Sequence, residues 1–355
     1  MNIGYVFIIV IAGMAYFVSG IPTPEEMDAS FKVAQKFYTS GAYDQALEAY
    51  IGVSEIESPF LTEENVLAEF EDLQVPLQDA AIYKTGSTYF KMLQDENRKA
   101  EEAEDDIAKE KAKKMAIEYA LKSTEYFDLT QERTKNESLQ AQAQNALINT
   151  WYGVNDYDRV IQEGEELIEK YPQSQYVLDA MYNIGWAHYD KKEYDKSIEM
   201  FNILVTRFPT AGYKSDRALF QIGEAYYDQG KFAEASPFYQ RLVNKMRINE
   251  LTEREIQKIQ RDKLAGITNE TALDLAAKSQ LKVGSCLASI GDFDAAEVAY
   301  KRVATLFKFD KGLITDAYQR MADMYYDNGD FESSVQAYRD AIDDVNDKIF
   351  RAKMQ

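Results

Sequence analysis

The string IGWAHYDKKEYDKSIEMF begins at Ile184, and IGEAYYDQGKFAEASPFY begins at Ile222. Ile, Gly, Ala, Tyr and Asp recur at matching places, so the chain states one structural unit more than once. The turn strings VNDYDRV, KKEYDKS, QGKFAEA, IGDFDAA and NGDFESS place aromatics at Tyr157, Tyr194, Phe232, Phe293 and Phe331, with spacings of 37, 38, 61 and 38 residues. A fixed period in this range is the mark of a stacked repeat array, in which no unit buries its apolar face alone. The one long spacing marks an enlarged unit.

Within a unit, Met181, Ile184, Gly185 and His188 share one helical face by i, i+3, i+4, i+7 spacing, and so do Leu219, Ile222, Gly223 and Tyr226. After the turn, Ser197, Phe201 and Leu204 form the inward edge of a second helix. The small residue at Gly185, Gly223, Gly284 and Ala322 lets that helix approach closely. Pro172 and Pro209 then end it, because proline has no N–H to donate and clashes one turn back. With only 17 Gly and 7 Pro in 355 residues, the spacing predicts an all-α chain of helical hairpins.

This pattern resembles the tetratricopeptide repeat, over residues 142–246 and again over 277–343. The string YPQSQYVLDAMYNIGWAHYDKKEYDKSIEMFNILVTRFP is similar to the longer-period units of bacterial envelope proteins, such as the repeat subunit of the outer-membrane β-barrel assembly machine and the periplasmic coordinator of the Tol-Pal system. An earlier unit, FKVAQKFYTSGAYDQALEAY, has Gly41, Tyr43, Ala46 and Tyr50 in the expected places, and a degenerate one runs from Ala80 to Phe127 with Gly86 and Tyr89 on its first helix. The resemblance implies a right-handed α-solenoid superhelix of about seven helix hairpins, preceded by one N-terminal hydrophobic helix. The expected divisions are 1–24, a transmembrane anchor or signal peptide; 27–140, N-terminal units with a charged helical insertion; 141–246, regular units; 247–276, a helical insertion; and 277–355, C-terminal units. FRAKMQ supplies no capping helix, so the array is expected to continue beyond the chain.

The insertions differ in kind. QDENRKAEEAEDDIAKEKAKK, from Gln94, alternates charge at helical spacing and reads as a solvated helix laced by weak ion pairs. RINELTEREIQKIQRDKLAG, from Arg247, keeps Ile248, Leu251, Ile256, Ile259 and Leu264 as an apolar stripe that should pack on the array or on a partner.

The formal net charge of −20 disfavours nucleic acid and anionic lipid and favours basic partners. Single residues Cys286 and His188 leave no disulfide framework, thiolate metal site or histidine relay, and both are expected to pack. No phosphate loop, zinc spacing or nucleophile elbow is present, so no cofactor and no catalysis are expected. The sequons at Asn136 and Asn269 read as chance matches. At the N-terminus no charged side chain precedes Glu25. Ile3 to Ile21 is long enough, at about 1.5 Å per residue, to cross a bilayer as a helix, while Val18 and Gly20 form a loose cleavage site. Lys32 and Lys36 soon after the run weakly favour a cytoplasmic array, whereas the family likeness favours the envelope, membrane-anchored or periplasmic.

The resemblance also implies a concave groove lined by fixed positions of each first helix. These are Gln142, Asn145, Asn149, Tyr152 and Gly153, then Asp179, Tyr182, Trp186, Tyr189 and Asp190. Arg217, Phe220, Glu224, Tyr227 and Asp228 follow, then Lys278, Leu281, Ser285, Ala288 and Ser289. The last repeat supplies Asp316, Gln319, Asp323, Tyr326 and Asp327. An aromatic and acidic wall of this kind suits an apolar or basic segment of another protein. The alternative is that the tyrosines pack between helices and the carboxylates are merely solvated. A two-carboxylate clamp would use Asn149, Asn183 and Arg217, but its other cation positions hold Asn145 and Gln221, too little charge for an anionic terminus. The sequence therefore points to a non-catalytic protein-interaction scaffold organising a bacterial envelope complex. The alternative is a docking subunit whose catalytic part lies on another chain or in a further C-terminal region.

Overall fold

Six turns set the period of the chain. In each, the residue two places before the turn aromatic adopts a left-handed backbone: Gly41, Asn155, Lys192, Gly230, Gly291 and Gly329, with φ between 60° and 84°. The next residue's N–H then returns to the carbonyl five places back, as in Ala42 to Phe37 (2.9 Å), Asp156 to Trp151 (3.0 Å), Lys231 to Tyr226 (2.9 Å), Asp292 to Leu287 (3.0 Å) and Asp330 to Tyr325 (2.9 Å). This closure satisfies carbonyls at the end of the first helix and swings the chain into the second. Glycine holds the left-handed conformation without strain, asparagine tolerates it, and lysine at 192 does not. Lys192→Gly is accordingly expected to stabilise the fold by about 0.5–1 kcal/mol, read as a raised melting midpoint.

The computed structural model describes residues 6–11, 14–19, 23–56, 67–70, 73–247, 251–264, 271–307 and 310–344. They fall into two units, 1–191 and 192–355. The first contains β1 (Val6–Ile11), β2 (Met14–Ser19), α1 (Pro24–Thr39), α2 (Tyr43–Ser54), β3 (Leu67–Phe70), β4 (Leu73–Pro76), α3 (Leu77–Glu102), α4 (Asp106–Arg133), α5 (Glu137–Gly153), α6 (Tyr157–Lys170) and α7 (Val177–Asp190). The second contains α8 (Tyr194–Arg207), α9 (Tyr213–Asp228), α10 (Phe232–Met246), α11 (Glu253–Leu264), α12 (Ala272–Ser289), α13 (Phe293–Leu306), α14 (Lys311–Asp327) and α15 (Phe331–Asp344). In the first unit α1, α3, α5 and α7 stack on one another as one layer with α2, α4 and α6 packed against them, and in the second α9, α12 and α14 do the same with α8, α10, α13 and α15. This is the all-α solenoid arrangement expected of hairpin repeats.

Gly223 and Gly284 act as the spacing implied. A Cβ on Gly223 would lie 2.8 Å from the Tyr239 ring, one on Gly284 would lie 2.6 Å from Tyr300, and one on Gly86 would lie 2.9 Å from Phe127. Each is a first-helix glycine seating a second-helix aromatic. Ala322 lies in the core cluster that Tyr338 packs against. Helices α6 and α8 end at Lys170 and Arg207, two residues before Pro172 and Pro209. Thr23 and Glu26 form a capping box that starts α1, with hydrogen bonds of 3.3 and 2.8 Å.

The N-terminal apolar run corrects the expectation of a hydrophobic helix. VFIIVI and MAYFVS pair antiparallel as β1 and β2, with Val6 opposite Ser19 and Ile11 opposite Met14. Their β-branched and aromatic content suits extended pairing. Among the described residues the first helix is α1, and none of their helices is long and apolar enough to cross a membrane. A second hairpin, β3 with β4, was also unforeseen; it precedes α3 and buries Val75.

The charged run forms the tip of the long α3–α4 hairpin. Lys99–Glu96 (2.6 Å) and Arg98–Asp95 (3.1 Å) are pairs of the surface kind that contribute little. The later insertion becomes α11, whose Ile259, with Leu251 before it, packs on a cluster of Leu273, Ala276, Ala277 and Phe307. Because α10 packs directly on α12, the enlarged unit rejoins the stack in register. Ile248, Asn269 and FRAKMQ lie outside the described residues.

Candidate functional site

In the first unit the aromatic wall is carried by α7, with α5 beside it. Tyr182, Trp186 and Tyr189 fall at i, i+4, i+7 and form a ladder of edge-to-face rings, with centroids 6.2 Å apart for Tyr182–Trp186 and 5.7 Å for Trp186–Tyr189. All three are half-buried. At the end of the helix Tyr152 of α5 donates its hydroxyl hydrogen to Asp190 Oδ2 at 2.7 Å, leaving the rest of that carboxylate exposed. Burial, the bond to Asp190 and the nearby charge together hold the Tyr152 hydroxyl well above its ordinary range. One turn inward, Asn183 Nδ2 donates to Asn149 Oδ1 at 3.1 Å. The two asparagines of the imagined carboxylate clamp are thus spent on each other, and Gln221 is buried. Asn136 is engaged too, accepting from the Leu139 N–H at 3.0 Å as the N-cap of α5.

The second unit divides the remaining groove residues into interior and surface. Phe220 is buried and packs edge-to-face on Tyr239, with centroids 5.4 Å apart, while the Arg217 guanidinium lies 5.6 Å from the Phe220 ring centroid. Phe220 is therefore core. Glu224 accepts from the Tyr239 hydroxyl and pairs with Lys282 at 3.0 Å. The same Lys282 ammonium sits 4.2 Å over the Tyr227 ring. An acid expected to face a partner is instead neutralised by its own chain. Lys282 lies on α12, one residue past the carried-over position Leu281, so it becomes visible only when α12 is stacked on α9.

A cleft of about 420 Å³ opens among α12, α13 and α14, with Tyr227 at one side. Ser285, Ala288, Ser289, Asp323 and Asp327 line it, as carried over from the family pattern, and Arg320, Tyr300 and Phe293 are additions. Arg320 Nε donates to Asp316 at 3.1 Å, and Tyr300 donates to Ser285 at 3.3 Å. Asp323 accepts from Tyr338 at 3.3 Å, and Asp228 is exposed. Tyr326 stands 62% exposed and stacks edge-to-face on Phe331. Cys286 and His188 are buried, and desolvation pushes the Cys286 thiol up to about 12, which disfavours the reactive thiolate.

Residues 182–249 and 315–343 match the tetratricopeptide repeat family. The chain carries tetratricopeptide repeats. Among solved structures, the C-terminal part of a TPR repeat-containing protein from Cytophaga hutchinsonii aligns with 92% of this chain and 99% of its own, at 13% identity and a TM-score of 0.52. That likeness shows the fold. The apo form of RapI aligns over 90% of this chain and 97% of its own, at 16% identity and a TM-score of 0.44. YrrB, described as a TPR protein with an unusual peptide-binding site, aligns over 65% of this chain and 100% of its own, at 19% identity and a TM-score of 0.41. No curated protein matches the sequence.

Proposed function

We propose that this protein is a non-catalytic scaffold that captures an apolar or basic segment of another protein, with the α7 wall as its recognition element. The observation that carries this reading is the Tyr182–Trp186–Tyr189 ladder, three large rings left half-buried beside the exposed carboxylate of Asp190. Amphipathic rings anchor partners at low entropic cost, and an adjacent carboxylate selects for Lys or Arg. The net charge of −20 favours basic partners in general.

Purification from the native organism should recover a stoichiometric partner, whose binding kinetics then test the wall. Asp190→Lys is expected to slow association and flatten its salt dependence while changing dissociation little, because exposed charges act on encounter. Tyr152→Phe is the control, since it removes the hydrogen bond to Asp190 and keeps the charge. An association rate that Asp190→Lys leaves unchanged at every salt concentration would argue against the reading. Placement in a bacterial cell envelope rests on the sequence likeness of the central repeats alone. Protease accessibility in intact spheroplasts tests it, with rapid cleavage of the repeats expected.

A further inference from the structure

In its first half helix α4 turns Ala112, Ala116 and Ala120 inward, and Phe127 fills the core further along. Ala116 and Ala120 close with Leu93 into a small core, whereas the opposite face leaves Ile107 80%, Ile117 52% and Leu121 53% exposed. Singly exposed aliphatic side chains are ordinary on a protein surface, so their spacing is what distinguishes these three. Their order is regular: Ile107, Glu110, Lys114, Ile117 and Leu121 follow one another at intervals of three and four, the seam of a heptad. Over the span from Ile107 to Leu121 the seam is about 21 Å long. Glu110 and Lys114 are exposed, and neither pairs with another side chain among the described residues.

The seam is complementary to itself in one direction only. Two copies laid parallel would set Glu110 against Glu110 and Lys114 against Lys114. Laid antiparallel about a two-fold axis level with Ala112, they set Ile107 against Ile117 and Glu110 against Lys114, twice each. Lys111 and Lys113 border the seam near the axis, with stems long enough to carry their ammonium groups out to water. An anionic lipid surface suits the face less well, since Glu110 lies within the stripe and Glu118 and Glu125 lie beside it. We infer that two copies of this protein associate through α4, antiparallel, with the Ile107–Ile117 and Glu110–Lys114 contacts made in both directions.

The test is sedimentation velocity on the full chain across a wide concentration range, in a mild detergent that shields the apolar N-terminal segment. The wild type is expected to pass from monomer to dimer. Glu110→Lys alone and Lys114→Glu alone should each weaken that step by about tenfold or more, because each creates a like-charge pair at the seam. The double variant carrying both changes should restore it. All the altered positions are exposed, and unchanged circular dichroism confirms that the fold is intact. A wild type that stays monomeric throughout, or a double variant no tighter than the single ones, overturns the inference. A monomeric chain that binds anionic vesicles through the α4 lysines would assign the face to lipid instead.

Discussion

Gly223→Leu is expected to destabilise the second unit by about 2 kcal/mol or more, lowering its melting midpoint by several degrees. Tyr239 is fully buried, and its ring already lies where the first added carbon would go, 2.8 to 3.2 Å away. The ring has no easy retreat. Its hydroxyl is bonded to Glu224, which is held in turn by Lys282, and its ring packs edge-to-face with Phe220. Moving Tyr239 therefore strains a part-buried polar network as well as a close-packed core. Shortening the partner at the same time should recover part of the loss, so Gly223→Leu with Tyr239→Ala is expected to fall short of the sum of the two single effects. A melting curve unchanged by Gly223→Leu would contradict the helix register described above.

Trp186→Ala is expected to weaken partner capture by about 1–3 kcal/mol, or roughly five- to 150-fold in dissociation constant. Trp186 is the middle rung of the α7 ladder. Its removal takes away the largest ring and also the edge that holds Tyr182 and Tyr189 in position. Because the side chain is half-buried, truncation will also lower stability somewhat. The comparison should be made well below the melting transition, with Tyr182→Phe as a variant that preserves the ladder. Titration calorimetry with the copurified partner reads the effect directly. Undiminished capture would move recognition off this wall to another surface.

Helix hairpins, turns and close glycine contacts were legible in the sequence because they depend on local spacing. Gly41, Gly230, Gly291 and Gly329 mark the left-handed turn residue by composition, and the fixed interval to the following aromatic locates Asn155 and Lys192 at the same place, where composition alone would not. Gly223 and Gly284 could be paired with second-helix neighbours because each contact lies within one repeat. The N-terminal run was not legible. Nineteen uncharged, mostly apolar residues satisfy the length of a membrane helix and the pattern of a hairpin alike, and periodicity does not separate them when nearly every position is apolar.

The groove divides along the same line. The resemblance to the tetratricopeptide repeat, carried over residue by residue, named which positions of each first helix would line a groove wall. It did not determine which of those side chains remain available to a partner. Phe220 turned inward to Tyr239, and Glu224 is matched by Lys282 from the next first helix in the stack, 58 residues along the chain. Asn149 and Asn183 satisfy each other across 34 residues. Burial and charge neutralisation are properties of neighbours brought together by stacking, and the distance between those neighbours in the chain leaves no periodic signal. The repeat period therefore sets the secondary structure, while tertiary packing decides which first-helix side chains are left for another molecule to meet.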